Sequence, residues 1–150
     1  MSDGELGPAL FAYDGPDLAR LAFEEAGRQL RPGRDAVVLT VWRPFGVGFI
    51  PPPDVKFNAA ASNEVMKAAE ETAAQGASMA RAAGFHAQSL ALKEPTAWKG
   101  ITRVADDFDA SLIVLGSHGK SGFTGVFLGS VAGAVAAHSG RTVLIVHRRN

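Results

Sequence analysis

The chain of 150 residues contains no cysteine and has no excess of charge of either sign. The absence of cysteine excludes disulfide scaffolds, thiol catalysis and Cys-based zinc or iron–sulfur sites. Fifteen Lys and Arg balance fifteen Asp and Glu, so no broad attraction to nucleic acid or to an anionic membrane is expected. No apolar run approaches the roughly 20 residues of a membrane span, and Met1–Pro8 lacks the apolar core of a signal peptide. We therefore expect a cytoplasmic protein.

Hydrophobic residues make up 47% of the chain and charged residues 20%, which is an ordinary balance for a globular protein. A domain of this length can bury a core without metal or disulfide staples. We expect a single domain over residues 1–150, with its core at about residues 9–148.

Two hydrophobic periodicities alternate along the chain, one of strands and one of helices. The strands are predicted at Ala9–Tyr13, Ala36–Trp42, Phe85–Leu92, Ser111–Leu115 and Thr142–His147. The helices are predicted from Pro16 to the Arg31-Pro32-Gly33 turn, at Asn63–Ala83, around Trp98–Phe108 and at Val126–Ser139. This alternation predicts an α/β fold, an open five-stranded parallel sheet with helices on both faces.

Two long loops interrupt this pattern. Phe45–Ala61 is rich in Gly and Pro and is predicted to be irregular. Gly116–Gly125 follows the fourth strand, where glycines permit close approach of backbone to a ligand. A helix that follows such a loop offers free N–H groups and a positive dipole end to a phosphate.

Three familiar motifs fail in this loop. Gly119-Lys120-Ser121 reads like the end of a Walker A motif, but Val114 stands where that motif needs its first glycine. The G-x-G-x-x-G dinucleotide pattern is absent, and Arg43 rather than an acid follows the second strand. No G-x-S-x-G nucleophile elbow occurs.

The spacing that does occur is Gly116-x2-Gly119-x9-Gly129-Ser130. It resembles the G-2x-G-9x-G-(S/T) nucleotide-binding signature of the universal stress protein family. The Asp14-Gly15 turn, Thr40-Val41 at the end of strand two, and the apolar strands before Gly116 and before His147 are similar to the family as well. The resemblance extends over about residues 9–147. Thr142 departs from it by replacing a proline that is common before the last strand.

The resemblance implies a Rossmann-like fold of the adenine nucleotide alpha hydrolase type that binds ATP or AMP, with or without Mg²⁺. It also implies a homodimer, expected here through the C-terminal strand Thr142–His147. By position, Asp14 and Gly116 would lie near the ribose, and the Val41 backbone would meet adenine. The phosphates would be held by Gly119, Gly129 and Ser130, with Lys120 and Val131 completing the site; no catalytic residue and no metal ligand is assigned.

The leading hypothesis is a stress-response module that acts through nucleotide occupancy with little or no turnover. The alternatives are a slow ATPase, another enzyme of adenylate chemistry on the same fold, or an interaction module whose glycine loop binds nothing. Asp106, Asp107 and Asp109 are interpreted as solvated acids rather than a metal site. Trp98 and Phe108 are expected in the core, and Trp42 and Phe45 at the border of the pocket.

Overall fold

The computed structural model describes residues 6–14, 16–43, 59–117 and 129–147, which form five strands and four helices. The strands are β1 (Ala9–Ala12), β2 (Asp35–Trp42), β3 (His86–Lys93), β4 (Leu112–Gly116) and β5 (Thr142–Val146). The helices are α1 (Pro16–Gln29), α2 (Ala59–Ala82), α3 (Ala97–Asp107) and α4 (Ser130–His138).

The strands form one parallel sheet in the order β3-β2-β1-β4-β5. Successive strands are added on one side of β1 up to β3, and the chain then crosses to the other side to form β4. The order therefore reverses between β1 and β4. In open parallel sheets, ligands bind at the carboxyl ends of the strands beside such a reversal.

Two hydrophobic clusters lie on opposite faces of the sheet. On one face, Phe11, Tyr13 and Val38 pack with Phe23 of α1 and Ala77 of α2. The other cluster joins strand residues to α3 and α4, as the side chains Leu10, Val37, Leu39, Ile113, Ile101, Val104 and Val135 show. The predicted sheet with helices on both faces is confirmed.

Helix α2 lies close to the sheet because its inner face carries small side chains. Ala69, Ala73, Ala77 and Ala80 are buried. At Gly76, an added Cβ would lie 2.7 Å from Tyr13 Cδ1 and 2.7 Å from Val38 Cγ1. No side chain larger than hydrogen fits there without moving its neighbours.

Helices α2 and α3 end in the same hydrogen-bonding pattern, a Schellman motif. After α2, Phe85 N donates to Ala80 O. Gly84, which has a φ of 102°, donates its own N–H to Arg81 O. After α3, Ala110 N donates to Ala105 O, and Asp109 takes the left-handed position at φ 49°. A glycine suits this position in α2, whereas α3 places an aspartate there.

The structure corrects several predicted boundaries and one predicted core residue. Residues Ala59–Ala61 are the first turn of α2 rather than loop, while residues 45–58 lie outside the described residues. The first described residue of α4 is Ser130, whereas residues 126–128 lie outside the description. Phe108 follows α3 and is 37% exposed, so its predicted place in the core is wrong. Across the described ranges, no helix has the length and hydropathy to cross a bilayer.

Candidate functional site

The carboxyl end of β1 is held to β2 by two hydrogen bonds. Tyr13 N donates to Leu39 O at 2.8 Å, and the buried hydroxyl of Thr40 donates to Tyr13 O at 2.8 Å. Thr40 Oγ1 therefore binds the carbonyl that a continuing ladder would have used. These bonds set the point at which the chain leaves the sheet, and with it the position of Asp14.

The two hydrogen bonds of Tyr13 to Leu39 and Thr40 form a clamp at the end of β1. Asp14 is exposed and follows this clamp directly. Its neighbour Tyr13 is 3% exposed, and its hydroxyl lies 3.8 Å from Met79 Sδ. Burial, and then the charge of Asp14, raise the pKa of the Tyr13 phenol. The Asp14 carboxylate thus acts electrostatically on a buried group at the end of β1.

The backbone of Val41 faces the same place. The carbonyl oxygen of Leu39 is directed toward β1, where it accepts a hydrogen bond from Tyr13 N. The carbonyl oxygen of Trp42 is directed toward β3 and accepts a hydrogen bond from Glu94 N at 2.9 Å. Alternate residues of a strand direct their backbone groups to the same side, so the N–H and C=O of Val41 are directed toward β1. Since β1 ends at Ala12, paired with Leu39, the Val41 groups lie beyond its last residue.

The two ends of the glycine loop meet beside β4. Gly116 is the last residue of β4, and the next residue, Ser117, is 2% exposed. Ser117 N donates to Val146 O at 2.9 Å, and Ser117 O accepts from Gly129 N at 2.6 Å. The chain thus leaves β4 and returns to α4 at one hydrogen-bonded junction, which sets Gly116 and Gly129 close together.

Helix α4 begins at this junction. Gly129 is its N-cap, with φ −59° and ψ 159°, and it provides no side-chain cap. The first helical bond runs from Gly133 N to Gly129 O at 2.9 Å, so the N–H groups of Ser130 and Val131 precede the helical ladder. Both side chains are exposed. This first turn presents backbone donors and a positive dipole end at the carboxyl edge of the sheet.

The site residues expected from the sequence are therefore partly described. Asp14 and Val41 lie at the ends of β1 and β2, and Gly116, Gly129, Ser130 and Val131 lie at the β4–α4 junction. Gly119 and Lys120 lie outside the described residues, as do Phe45 and His118.

Sequence reasoning missed the supporting roles of Thr40 and Ser117, whose polar side chains are buried. A threonine inside the apolar run Ala36–Trp42 was the available signal for Thr40. Ser117 had no signal of its own beyond its place after Gly116.

The acidic residues at the end of α3 form ion pairs with Arg141. Arg141 Nε lies 3.0 Å from Asp106 Oδ1, and its Nη1 lies 3.0 Å from Asp109 Oδ1 and 2.7 Å from Ala110 O. Within the residues that the structure describes, no group of three His, Asp or Glu could hold a metal ion. Trp98 packs partly against the α3–α4 cluster and stacks on His138 at 4.4 Å between ring centroids.

A separate open groove of about 610 Å³ lies at the other end of the sheet. Its lining includes Pro8, Asp35, His86 and Phe108. Asp35 and His86 are the first residues of β2 and β3, so the groove lies at the amino ends of the strands. It is not part of the candidate site.

The strand order, the reversal beside β1 and the β4–α4 junction define a doubly wound α/β protein with its candidate site at the switch point. The model of the universal stress protein family matches residues 6–147. The chain belongs to that family.

Curated relatives agree with this assignment. The chain is 32% identical to a universal stress protein of Mycolicibacterium smegmatis over 95% of the chain and 46% of the relative. It is 30% identical to one of Mycobacterium tuberculosis over 99% of the chain and 48% of the relative. The chain thus spans about half the length of these relatives.

Solved structures share the fold at low sequence identity. Protein MJ0577 of Methanocaldococcus jannaschii superposes with a TM-score of 0.77 at 22% identity, over 96% of this chain and 97% of that one. A universal stress protein of Archaeoglobus fulgidus in complex with dAMP gives 0.64 at 24% identity, over 93% and 96%. A universal stress protein in complex with cAMP gives 0.63 at 22% identity, over 97% and 100%.

Proposed function

We propose that this chain binds an adenine nucleotide, ATP or AMP, at the carboxyl ends of β1, β2 and β4. The observation that carries the proposal is the bond from Gly129 N to Ser117 O at 2.6 Å. It brings the first and last glycines of the signature together at the N-terminus of α4, beside the switch point. The adenine nucleotides bound by related folds, dAMP and cAMP, support the ligand class.

Each part of the nucleotide has a proposed partner in the site. The phosphates contact the first turn of α4 through the N–H groups of Ser130 and Val131 and the Ser130 hydroxyl. The adenine edge bonds the backbone of Val41, and the ribose lies between Asp14 and Gly116. Gly119 and Lys120 complete the proposed phosphate site, and the spacing of the signature is what supports their assignment.

A charge placed at the proposed phosphate site tests the binding mode. Ser130→Asp adds a carboxylate where the phosphates would lie, while the matched Ser130→Asn variant has the same shape without the charge. We expect Ser130→Asp to weaken ATP binding more than tenfold, AMP binding less, and adenosine binding hardly at all, by calorimetry. Its melting temperature should not fall, because a carboxylate is favourable at a helix N-terminus.

Equal ATP affinity in Ser130→Asp and the parent would contradict the placement of the phosphates. Weakening of adenosine binding by the same factor would show that the variant perturbs the site by another route. In the loop itself, Gly119→Val should weaken ATP binding more than tenfold because a side chain would fill the position of a phosphate.

We further propose that the chain acts by occupancy, as a stress-response module with little or no turnover. Asp14 is the one acid among the proposed binding residues, and the other groups are donors suited to holding phosphates. The alternative is a slow ATPase or another enzyme of adenylate chemistry. A steady-state hydrolysis rate near the kinase scale of about 1 s⁻¹, lost in Gly119→Val, would favour that alternative.

The proposed assembly is a homodimer through β5. This strand forms one edge of the sheet and contains no charged residue. Because Val146 O accepts from Ser117 N toward β4, Ile145, one residue earlier, directs its backbone outward. Ile145→Pro should remove a donor from the dimer contact and leave the β4 ladder intact. Light scattering should give about twice the 15.7 kDa mass for the parent and a lower mass for the variant.

A further inference from the structure

The other edge of the sheet is β3, which has β2 as its strand neighbour within the described residues. His86 N donates to Arg34 O at 2.9 Å, and Glu94 N donates to Trp42 O at 2.9 Å. The even-numbered residues of β3 therefore bond toward β2, and Ala87, Ser89 and Ala91 direct their backbone groups outward. Such an edge is a template on which a further strand can pair.

The first outward carbonyl of this edge is already occupied. Arg81 Nε and Nη2 donate to Ala87 O at 3.1 and 2.9 Å. Arg81 lies in the last turn of α2, and its carbonyl oxygen accepts a hydrogen bond from Gly84 N at 3.0 Å in the turn that ends the helix. The guanidinium thus reaches the edge from a fixed backbone position and covers an acceptor that an incoming strand would need.

The far end of the edge also carries a cation. Lys93 is the last residue of β3, it is exposed, and its Nζ lies 5.8 Å from the centre of the Trp42 ring. If a second copy paired antiparallel along the whole of β3, the start of one strand would face the end of the other. Arg81 at the start would then face Lys93 of the second copy, and the two-fold symmetry would repeat this like-charge contact.

We propose that Arg81 and Lys93 block the pairing of β3 with a second copy of this chain. The carbonyl bond removes an acceptor, and the two cations oppose the antiparallel register. Among the residues that the structure describes, the uncharged β5 edge has neither obstacle, so association is directed there. This inference extends the proposed β5 dimer, and its test is arranged so that either can fail without the other.

The experiment compares the association of four chains. They are the parent, Ile145→Pro, the double variant Arg81→Met/Lys93→Thr, and all three changes together. Light scattering over a micromolar concentration series gives their masses, and circular dichroism and melting show that each is folded. Arg20→Met removes an exposed arginine from α1, an element that does not border β3, and serves as the charge control.

We expect the double variant to form species larger than the parent, and the triple variant to form species larger than Ile145→Pro alone. Arg20→Met should keep the parent mass. Amide exchange at Ser89 and Ala91 should slow in the larger species, since those N–H groups become paired. The inference would be overturned if both variants are folded, the double variant has the mass of the parent, and the triple variant has the mass of Ile145→Pro. Larger species without protection at Ser89 and Ala91 would overturn it too. A monomeric parent would instead count against the β5 dimer, while the comparison in the Ile145→Pro background would still decide the role of β3.

Discussion

The Thr40 hydroxyl donates to the carbonyl oxygen of Tyr13 at 2.8 Å, and this buried bond ends the β1–β2 ladder. It holds the chain at the point where Asp14 begins the turn into α1. Thr40→Val should cost about 1–3 kcal/mol of stability, because a buried carbonyl loses its partner while the shape of the side chain is kept. Chemical denaturation measures this loss.

The same variant tests whether the clamp positions the candidate site. We expect Thr40→Val to weaken adenine-nucleotide binding at a temperature where it is fully folded, and Thr40→Ser, which keeps the hydroxyl, to retain most of the affinity. If Thr40→Val loses stability but binds like the parent, the clamp is structural only.

Gly76 determines how closely α2 approaches the sheet. Gly76→Ala places a Cβ 2.7 Å from Tyr13 Cδ1 and Val38 Cγ1, and overpacking of this kind costs about 1–3 kcal/mol. Gly133→Ala in α4 is the matched control, because its Cβ would have nothing within 4 Å. The control should be stabilised by about 0.5–1 kcal/mol, as alanine favours a helix interior. Unfolding curves in which both variants shift in the same direction would contradict this packing.

The element types were predictable from the sequence because apolar runs and helical stripes report burial directly. The five strands and their alternation with helices followed from that signal alone. Phe108 shows its limit: it continues the apolar stripe of Trp98 and Ile101, but α3 ends at Asp107 and the ring turns to the surface. The sharp end depends on the left-handed Asp109, which periodicity does not encode.

The candidate site was predictable in position but not in construction. The glycine spacing located Gly116 and Gly129, and the parallel order located the switch point. The bonds that assemble the site run from Thr40 to Tyr13 and from Gly129 to Ser117, between residues far apart in the chain or on either side of a loop. Such pairings depend on how separate segments meet in the fold, which no local pattern specifies.

Asp109 should show the cost of a left-handed backbone. At φ 49°, a β-branched side chain is strained, so Asp109→Val should lose about 1–3 kcal/mol. Asp109→Gly loses the same ion pair to Arg141, but it relieves the backbone, and its stability should lie close to that of the parent, since the Asp109 side chain is 92% exposed. Asp107→Val, at a helical residue two positions earlier, controls for the valine itself. Equal melting temperatures for the Val and Gly variants at position 109 would contradict this account.

Tyr13 is the sole tyrosine of the chain, so its ionisation can be followed by tyrosinate absorbance. Burial, and secondarily the charge of Asp14, raise its pKa above the ordinary 10.0. The folded state therefore holds the phenolic proton more tightly than the unfolded state. Its contribution to stability is complete below about pH 10 and is lost as the pH rises through the folded pKa.

We expect the Tyr13 phenol to ionise at a higher pH in the folded protein than in the same protein in denaturant. Asp14→Asn should lower the midpoint of the Tyr13 titration in the folded protein part of the way toward the denatured midpoint. It removes the charge of Asp14, the smaller of the two causes, and leaves burial in place. Tyr13→Phe should abolish the absorbance change and flatten the loss of stability above pH 10. If the folded and denatured midpoints coincide, the phenol is not buried as described. A midpoint that Asp14→Asn leaves unchanged would mean that the carboxylate does not act on the end of β1.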